Sequence, residues 1–153
     1  MQSVIHPKYD DFDHDVAILR VYPEMVFSSR VAAVKQPVEG SLLDGNVDGD
    51  YISWSFSSTL TVAKMGLYTM SNTYCSVSYQ SSYPKKELFT DRMICTSPSR
   101  FLCSHRPGSP FLVNGTLYGL YSWTYRCDNP AVFTRASAFN SWIDSVRPPS
   151  NPE

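Results

Sequence analysis

Apolar residues in this chain come in short bursts separated by Ser, Thr, Gly, Asn and Pro, and that rhythm predicts strands joined by turns. Val16 to Val21 (V-A-I-L-R-V) predicts the first strand, entered from a polar, acidic segment running from Tyr9 to Asp15. After Pro23 the periodicity fades. Val31 to Val34 is its only short apolar run and Leu42 to Asp50 is rich in Gly and Asp, so this stretch reads as a linker crossing a surface. Tyr51 to Phe56 and Leu60 to Met65 read as two strands of a hairpin around a Ser-Ser turn. Met93-Ile94-Cys95 is a further short strand. Pro110 to Val113, the dipeptide Asn114-Gly115 and Leu117 to Trp123 make the clearest hairpin, because Asn-Gly supplies the positive φ angles of a tight primed turn. Ala131 to Thr134 gives a last strand. The period then changes: Phe139, Trp142, Ile143 and Val146 fall at i, i+3, i+4 and i+7 and predict a C-terminal helix, stopped by Pro148 and Pro149.

At 153 residues with 42% hydrophobic content, the chain has enough apolar mass for one packed domain. Lys and Arg (13) nearly balance Asp and Glu (14) with no basic stripe, which argues against a nucleic-acid partner. No apolar run reaches membrane-spanning length, so no membrane partner is expected either. The opening Met1 to His6 lacks the basic flank and apolar stretch of a secretory signal. The four cysteines, Cys75, Cys95, Cys103 and Cys127, contain no C-x-x-C pair, so no zinc site is expected, nor any other metal or cofactor. Their even number and wide spacing suggest two disulfides, with three pairings open. A Cys75–Cys95 bridge, 20 positions apart, would contribute roughly 3 kcal/mol by restricting the unfolded chain, in an oxidising compartment only. Disulfides without an export signal are reconciled most simply by a chain that continues upstream.

Several segments carry a specific resemblance. Cys103-Ser104-His105-Arg106-Pro107-Gly108-Ser109-Pro110 aligns without a gap to C-x-G-D-S-G-G-P, the nucleophile loop of trypsin-like serine proteases. His14-Asp15-Val16-Ala17-Ile18-Leu19, preceded by His6-Pro7-x-Tyr9, resembles that family's aspartate strand. Met93-Ile94-Cys95 resembles its M-x-C strand, and Leu117 to Trp123 its G-x-x-S-W substrate-binding strand. Cys127 to Thr134 resembles C-x-x-x-P-G-V-Y-T, and Phe139 to Ile143 the terminal helix ending in W-I.

The resemblance implies an all-β fold: the second antiparallel β-barrel of the two-barrel trypsin architecture with a C-terminal α-helix, the first barrel mostly absent. Residues 1–147 would form a partial trypsin-like domain, with 1–49 a first-barrel remnant and linker, 50–147 the second barrel and helix, and 148–153 a tail. It also implies the pairings Cys75–Cys95 and Cys103–Cys127, and an extracellular setting. The segments I-V-G-G and A-A-H-C, the latter bearing the catalytic histidine, are absent from the sequence.

Position by position, the resemblance implies lost chemistry. A serine protease needs an oxygen nucleophile, a histidine base, an aspartate and backbone oxyanion donors. Pro107 stands where the serine belongs and offers neither a hydroxyl nor an N–H. Loss of one oxyanion donor costs about 10²–10³ in rate, and loss of nucleophile or base on the order of 10⁶. Asp15 matches the aspartate, with a structural or vestigial role expected in the absence of its imidazole. His6 and His14 read as surface histidines, His14 pointing to the strand face opposite Asp15. His105 occupies the oxyanion-hole glycine position and has nothing to activate. Ser104 and Ser109 read as turn residues. Arg106 replaces the aspartate that pairs with the activated amino terminus. In the substrate pocket, Phe101 matches the basal aspartate, and Thr124 and Ala131 match the entrance glycines, so the remnant Phe101, Ser122, Trp123, Thr124 and Ala131 is expected to be small, apolar or filled. Ser122-Trp123 still offers a strand edge to an extended peptide. Asn114-Gly115-Thr116 is a legal N-glycosylation sequon as well as a turn.

The sequence thus points to a catalytically inactive serine protease homologue of arthropod type, binding or regulating in extracellular proteolysis, with an active protease or its substrate as protein partner. Two rival readings are a fragment of a longer two-barrel pseudoprotease and a serine-type endopeptidase.

Overall fold

The structure, a computed structural model, describes residues 2–43, 45–54, 61–79, 89–104 and 106–147, with only the backbone of Cys103 and Ser104. Two strands stand apart at the start: β1 (Gln2–Ile5) and β2 (Ala17–Arg20), antiparallel with Gln2 opposite Arg20 and Ile5 opposite Ala17. Six more close into a barrel. They are β3 (Asp48–Trp54), β4 (Val62–Met70), β5 (Met93–Thr96), β6 (Pro110–Val113), β7 (Thr116–Trp123) and β8 (Ala131–Arg135). Around the barrel the order is β3-β4-β5-β8-β7-β6, every neighbour antiparallel, and the ring closes where Tyr51 pairs with Phe111.

The apolar bursts form these strands because each sends a side chain inward at every second position. Tyr51, Leu67, Ile94, Phe111, Tyr121 and Phe133 meet there in one buried cluster. Phe133 is fully buried, its ring 5.9 Å from Tyr51, 5.5 Å from Phe111 and 5.5 Å from Tyr121, all within the range of favourable aromatic pairing. β5 and β8 depart from this alternation and are buried at every residue, Thr96, Thr134 and Arg135 included. Inside β3, Gly49 sits under the Phe111 ring, and a Cβ there would come within 2.4 Å of it. The Asn114-Gly115 turn has the expected positive angles, φ 49° and 76°.

The boundaries differ from expectation in instructive ways. β4 runs to Met70, beyond the expected end at Met65, because its continuation pairs with β5 at Thr69 and Met70. The expected Ser-Ser turn lies outside the described residues. Two elements went unforeseen: β1, and helix α1 (Asn72–Tyr79). The sequence of α1, N-T-Y-C-S-V-S-Y, is made of indifferent helix formers, and only Cys75 and Tyr79 are buried. Tertiary ties hold it instead. Ser71 Oγ accepts the Tyr74 N–H at 3.1 Å as an N-cap, Cys75 is disulfide-bonded to Cys95 of β5, and the Tyr79 hydroxyl donates to the Pro130 carbonyl at 2.5 Å. The disulfide has a Cα–Cα distance of 6.4 Å. Cys127 is also disulfide-bonded, while the side chain of Cys103, its expected partner, lies outside the described residues.

Residues 21–36, expected as a linker, are largely exposed and irregular, with a turn closed between Ser28 and Val31 and a bridge from Lys35 to Thr116. The C-terminal helix α2 (Asn140–Val146) forms where the change of period placed it, but of its apolar face only Phe139, just before the first turn, is buried. Trp142, Ile143 and Val146 are half-buried. Among the described residues, no helix is long and apolar enough to cross a membrane.

Replacing Phe133 by Ala removes the ring on which three others converge and is expected to destabilise the fold by about 3–5 kcal/mol. Chemical denaturation of the two proteins checks this, and a loss well under 1 kcal/mol would show that the barrel does not depend on this cluster.

Candidate functional site: the loop at Pro107 and the strand edge beside it

The loop that resembles a nucleophile segment is held at its exit by the β7 backbone. The Gly108 N–H donates to the Tyr121 carbonyl at 2.8 Å, and the Tyr121 N–H returns a bond to the Ser109 carbonyl at 2.8 Å. Gly108 has φ 85°, a left-handed conformation that glycine adopts without strain, and the Ser109 N–H closes the turn onto the Arg106 carbonyl at 3.2 Å. Pro107 is exposed at the turn's apex. The hydroxyl of Ser109 is directed to Ser53, donating to its Oγ at 3.0 Å, so it packs into the barrel end as a turn residue does. A cavity of about 560 Å³ opens beside this loop, lined by residues 106–110 together with Ile52, Ser53, Trp54 and Val62. His105 lies outside the described residues, as do the side chains of Cys103 and Ser104.

Asp15 lies next to β7, the strand whose sequence resembles a substrate-binding strand. Its Oδ2 accepts a 2.6 Å hydrogen bond from Ser122 Oγ, and its backbone carbonyl accepts Thr134 Oγ1 at 2.8 Å. The carboxylate thus ties the entry to β2 onto β7, and the backbone carbonyl ties it onto β8. Sequence reasoning found both Asp15 and Ser122 but did not join them, because they are 107 positions apart.

The residues expected to form a pocket remnant separate into two groups. Phe101 and Ala131 belong to the barrel core, with Phe101 edge-on to Tyr51 at 6.2 Å and Ala131 fully buried. Trp123 and Thr124 lie on the other side, against Tyr79. The Trp123 ring is 5.2 Å from Tyr79, 5.7 Å from Phe89 and 5.5 Å from Phe12, while Thr124 Oγ1 donates to the Pro130 carbonyl at 3.3 Å. β7 continues past the end of its β6 partner. β6 begins at Pro110, opposite Leu120, so Ser122 and Trp123 have no strand beside them on that edge among the described residues.

The two histidines correct the surface reading. His14 has φ 53° and precedes β2, so strand alternation does not govern where its ring goes. It stacks on His6 at 4.8 Å and 22°, and both rings meet Phe139 edge-on, at 5.4 Å for His6 and 6.0 Å for His14. His6 also meets Trp142 at 4.8 Å. Beside them is an ion pair that the sequence did not reveal: Arg92 Nη2 donates to Asp13 Oδ2 at 2.6 Å and its Nε to Oδ1 at 3.0 Å. Its only advance signal was an acidic lead-in to a strand, which reads equally well as a solvated face. Together these contacts fasten residues 2–20 to the barrel and to α2. Among the described residues no group of three metal-ligating side chains is present.

Both fastenings titrate. Burial lowers the His6 pKa, helped by the neighbouring His14, and its neutral Nδ1 accepts the Lys8 N–H at 3.2 Å. A depressed histidine pKa stabilises the fold above the ordinary value of about 6.5, and that contribution is lost as pH falls through the folded value. For Asp13, burial pushes the carboxyl up, but the Arg92 hydrogen bond, the His14 N–H and the nearby positive charge outweigh it and hold the pKa below its usual range. Its contribution is present above about 3.9 and is lost as pH falls through the lower folded value. Amide protection at Val4 and Ile18, taken relative to the intrinsic exchange rate at each pH, is therefore expected to fall in two stages on acidification, and His6→Phe should remove the first stage alone. A flat profile between pH 7.5 and 5 in the unmodified protein would contradict this.

Comparison with known proteins gives one consistent picture. The Trypsin family model matches residues 1–143. A trypsin of Phaedon cochleariae is 24% identical over 150 residues, and Trypsin 5G1 of Aedes aegypti is 30% identical over 155 residues, each alignment covering 92% of this chain. The chain spans 58% and 56% of the length of those two relatives. Among solved structures, kallikrein-related peptidase 10 in complex with Zn2+ superposes with a TM-score of 0.79 at 27% identity, over 95% of this chain and 71% of that one.

Proposed function

Since this chain belongs to the trypsin family, we propose that it is a non-catalytic member that acts by binding a protein in extracellular proteolysis. The observation that carries this reading is Pro107, at the apex of the loop where the family places its nucleophile. A proline there can neither attack a carbonyl nor donate an N–H to an oxyanion. Among the described residues, none is placed to replace it. The Ser109 hydroxyl is engaged with Ser53, and His6 and His14 are stacked on each other and on Phe139. Asp15 keeps its bond from Ser122 but acts as a tie between segments.

The chain retains a way to bind. The free edge of β7 at Ser122 and Trp123 suits an extended peptide, which would add a strand through backbone hydrogen bonds. An active protease or its substrate presents such segments, and either is the partner class proposed. The Cys75–Cys95 disulfide supports an oxidising, extracellular setting. Because the chain spans little more than half of its curated relatives, the same reading extends to any longer polypeptide that contains it.

Active-site labelling with a fluorophosphonate probe tests the proposal, applied both to this chain and to the full-length gene product. Neither is expected to react. The variant Pro107→Ser is expected to stay unlabelled too in this chain, since a serine hydroxyl without a histidine base is a weak nucleophile. Labelling of the unmodified protein at any serine overturns the reading and favours the endopeptidase activity that the names of its relatives denote.

A further inference from the structure

We propose that Asn114 carries an N-linked glycan, and that this glycan covers the place where the linker crosses the β6–β7 hairpin at Lys35. Of the asparagines in the chain, only Asn114 is followed two positions later by Ser or Thr. The structure puts it at the tip of the hairpin, exposed, in the first left-handed position of the turn. The space around that tip is open, for a Cβ built on Gly115 would meet nothing within 4 Å. Disulfide-bonded Cys75, Cys95 and Cys127 match the oxidising compartment in which such sugars are attached.

In the transfer step the Asn114 side-chain nitrogen attacks the anomeric carbon of a lipid-pyrophosphate-linked oligosaccharide. The new bond is N–C, the anomeric C–O bond to pyrophosphate breaks, and the amide gives up one proton as the lipid pyrophosphate leaves. No oxidant or reductant is needed.

The position gives the sugar a specific consequence. Asn114 is at the end of the hairpin remote from Pro107, since β6 runs from Pro110 beside that loop to Val113 beside the turn. A glycan there leaves the edge at Ser122 and Trp123 clear. It stands, however, next to Thr116, which bridges to Lys35, and Leu117, whose N–H donates to the Lys35 carbonyl at 2.8 Å. Lys35 is exposed, and the peptide bond after it suits an enzyme that cuts after lysine or arginine. A bulky hydrophilic sugar two residues from Thr116 occupies the approach to that bond. The inference is independent of whether the chain is catalytic.

The test is secretion of the full chain from insect cells behind an added leader, followed by glycopeptide mass spectrometry and limited digestion with trypsin. Glycan is expected at Asn114 in the unmodified protein and in Thr116→Ser, and none in Thr116→Ala or Asn114→Asp. Asn114→Asp is the control for folding, because aspartate also tolerates a positive φ. Cleavage after Lys35 is expected to be several-fold faster in Asn114→Asp than in the glycosylated protein. Secreted, folded, unmodified protein with a bare Asn114 overturns the site. A glycan at Asn114 with cleavage after Lys35 unchanged overturns the covering role.

Discussion

A sheet of six short strands exposes two edges unless it closes on itself, and here closure rests on the pairing of Tyr51 in β3 with Phe111 in β6. That contact brings the first and third quarters of the barrel segment together and seals the cluster in which Phe133 is surrounded by Tyr51, Phe111 and Tyr121. Gly49 allows it, because any side chain there would strike the Phe111 ring. Everything of functional interest is attached to the closed ring. The Pro107 loop is the lead-in to β6, and the open edge at Ser122 and Trp123 is the end of β7.

The first twenty residues depend on the ring without being part of it. An isolated pair of four-residue strands is at best marginal in water, so β1 and β2 need fastening. The fastening is polar and aromatic: Arg92 grips Asp13, Ser122 and Thr134 hold Asp15, Phe12 meets Trp123, and the stacked histidines rest on Phe139 and Trp142. The aspartate that the resemblance links to catalysis thus has a second occupation, joining the β2 entry to β7.

Much of this was legible in the residues. The Asn114-Gly115 hairpin, strands β5 and β8 and the C-terminal helix announce themselves through local rules of turn chemistry and period. Helix α1 did not, because its stability comes from Ser71 as a cap, from the disulfide to β5 and from the Tyr79 hydroxyl, none of which depends on helix propensity. The histidines follow the same pattern: strand alternation predicts that His14 points away from Asp15 at the surface, but a positive φ ahead of β2 turns its ring onto His6.

Residue type and spacing along the chain are enough to specify the strand and turn chemistry, the family resemblance and a proline in the loop that resembles the nucleophile segment. Which groups meet was decided by the tertiary structure alone. Barrel closure and the docking of residues 2–20 set Asp15 against Ser122, Asp13 against Arg92, and Lys35 against Thr116, pairs separated by 107, 79 and 81 positions. Contacts at such separation are products of the global fold, because no local propensity specifies which distant strand a side chain will face.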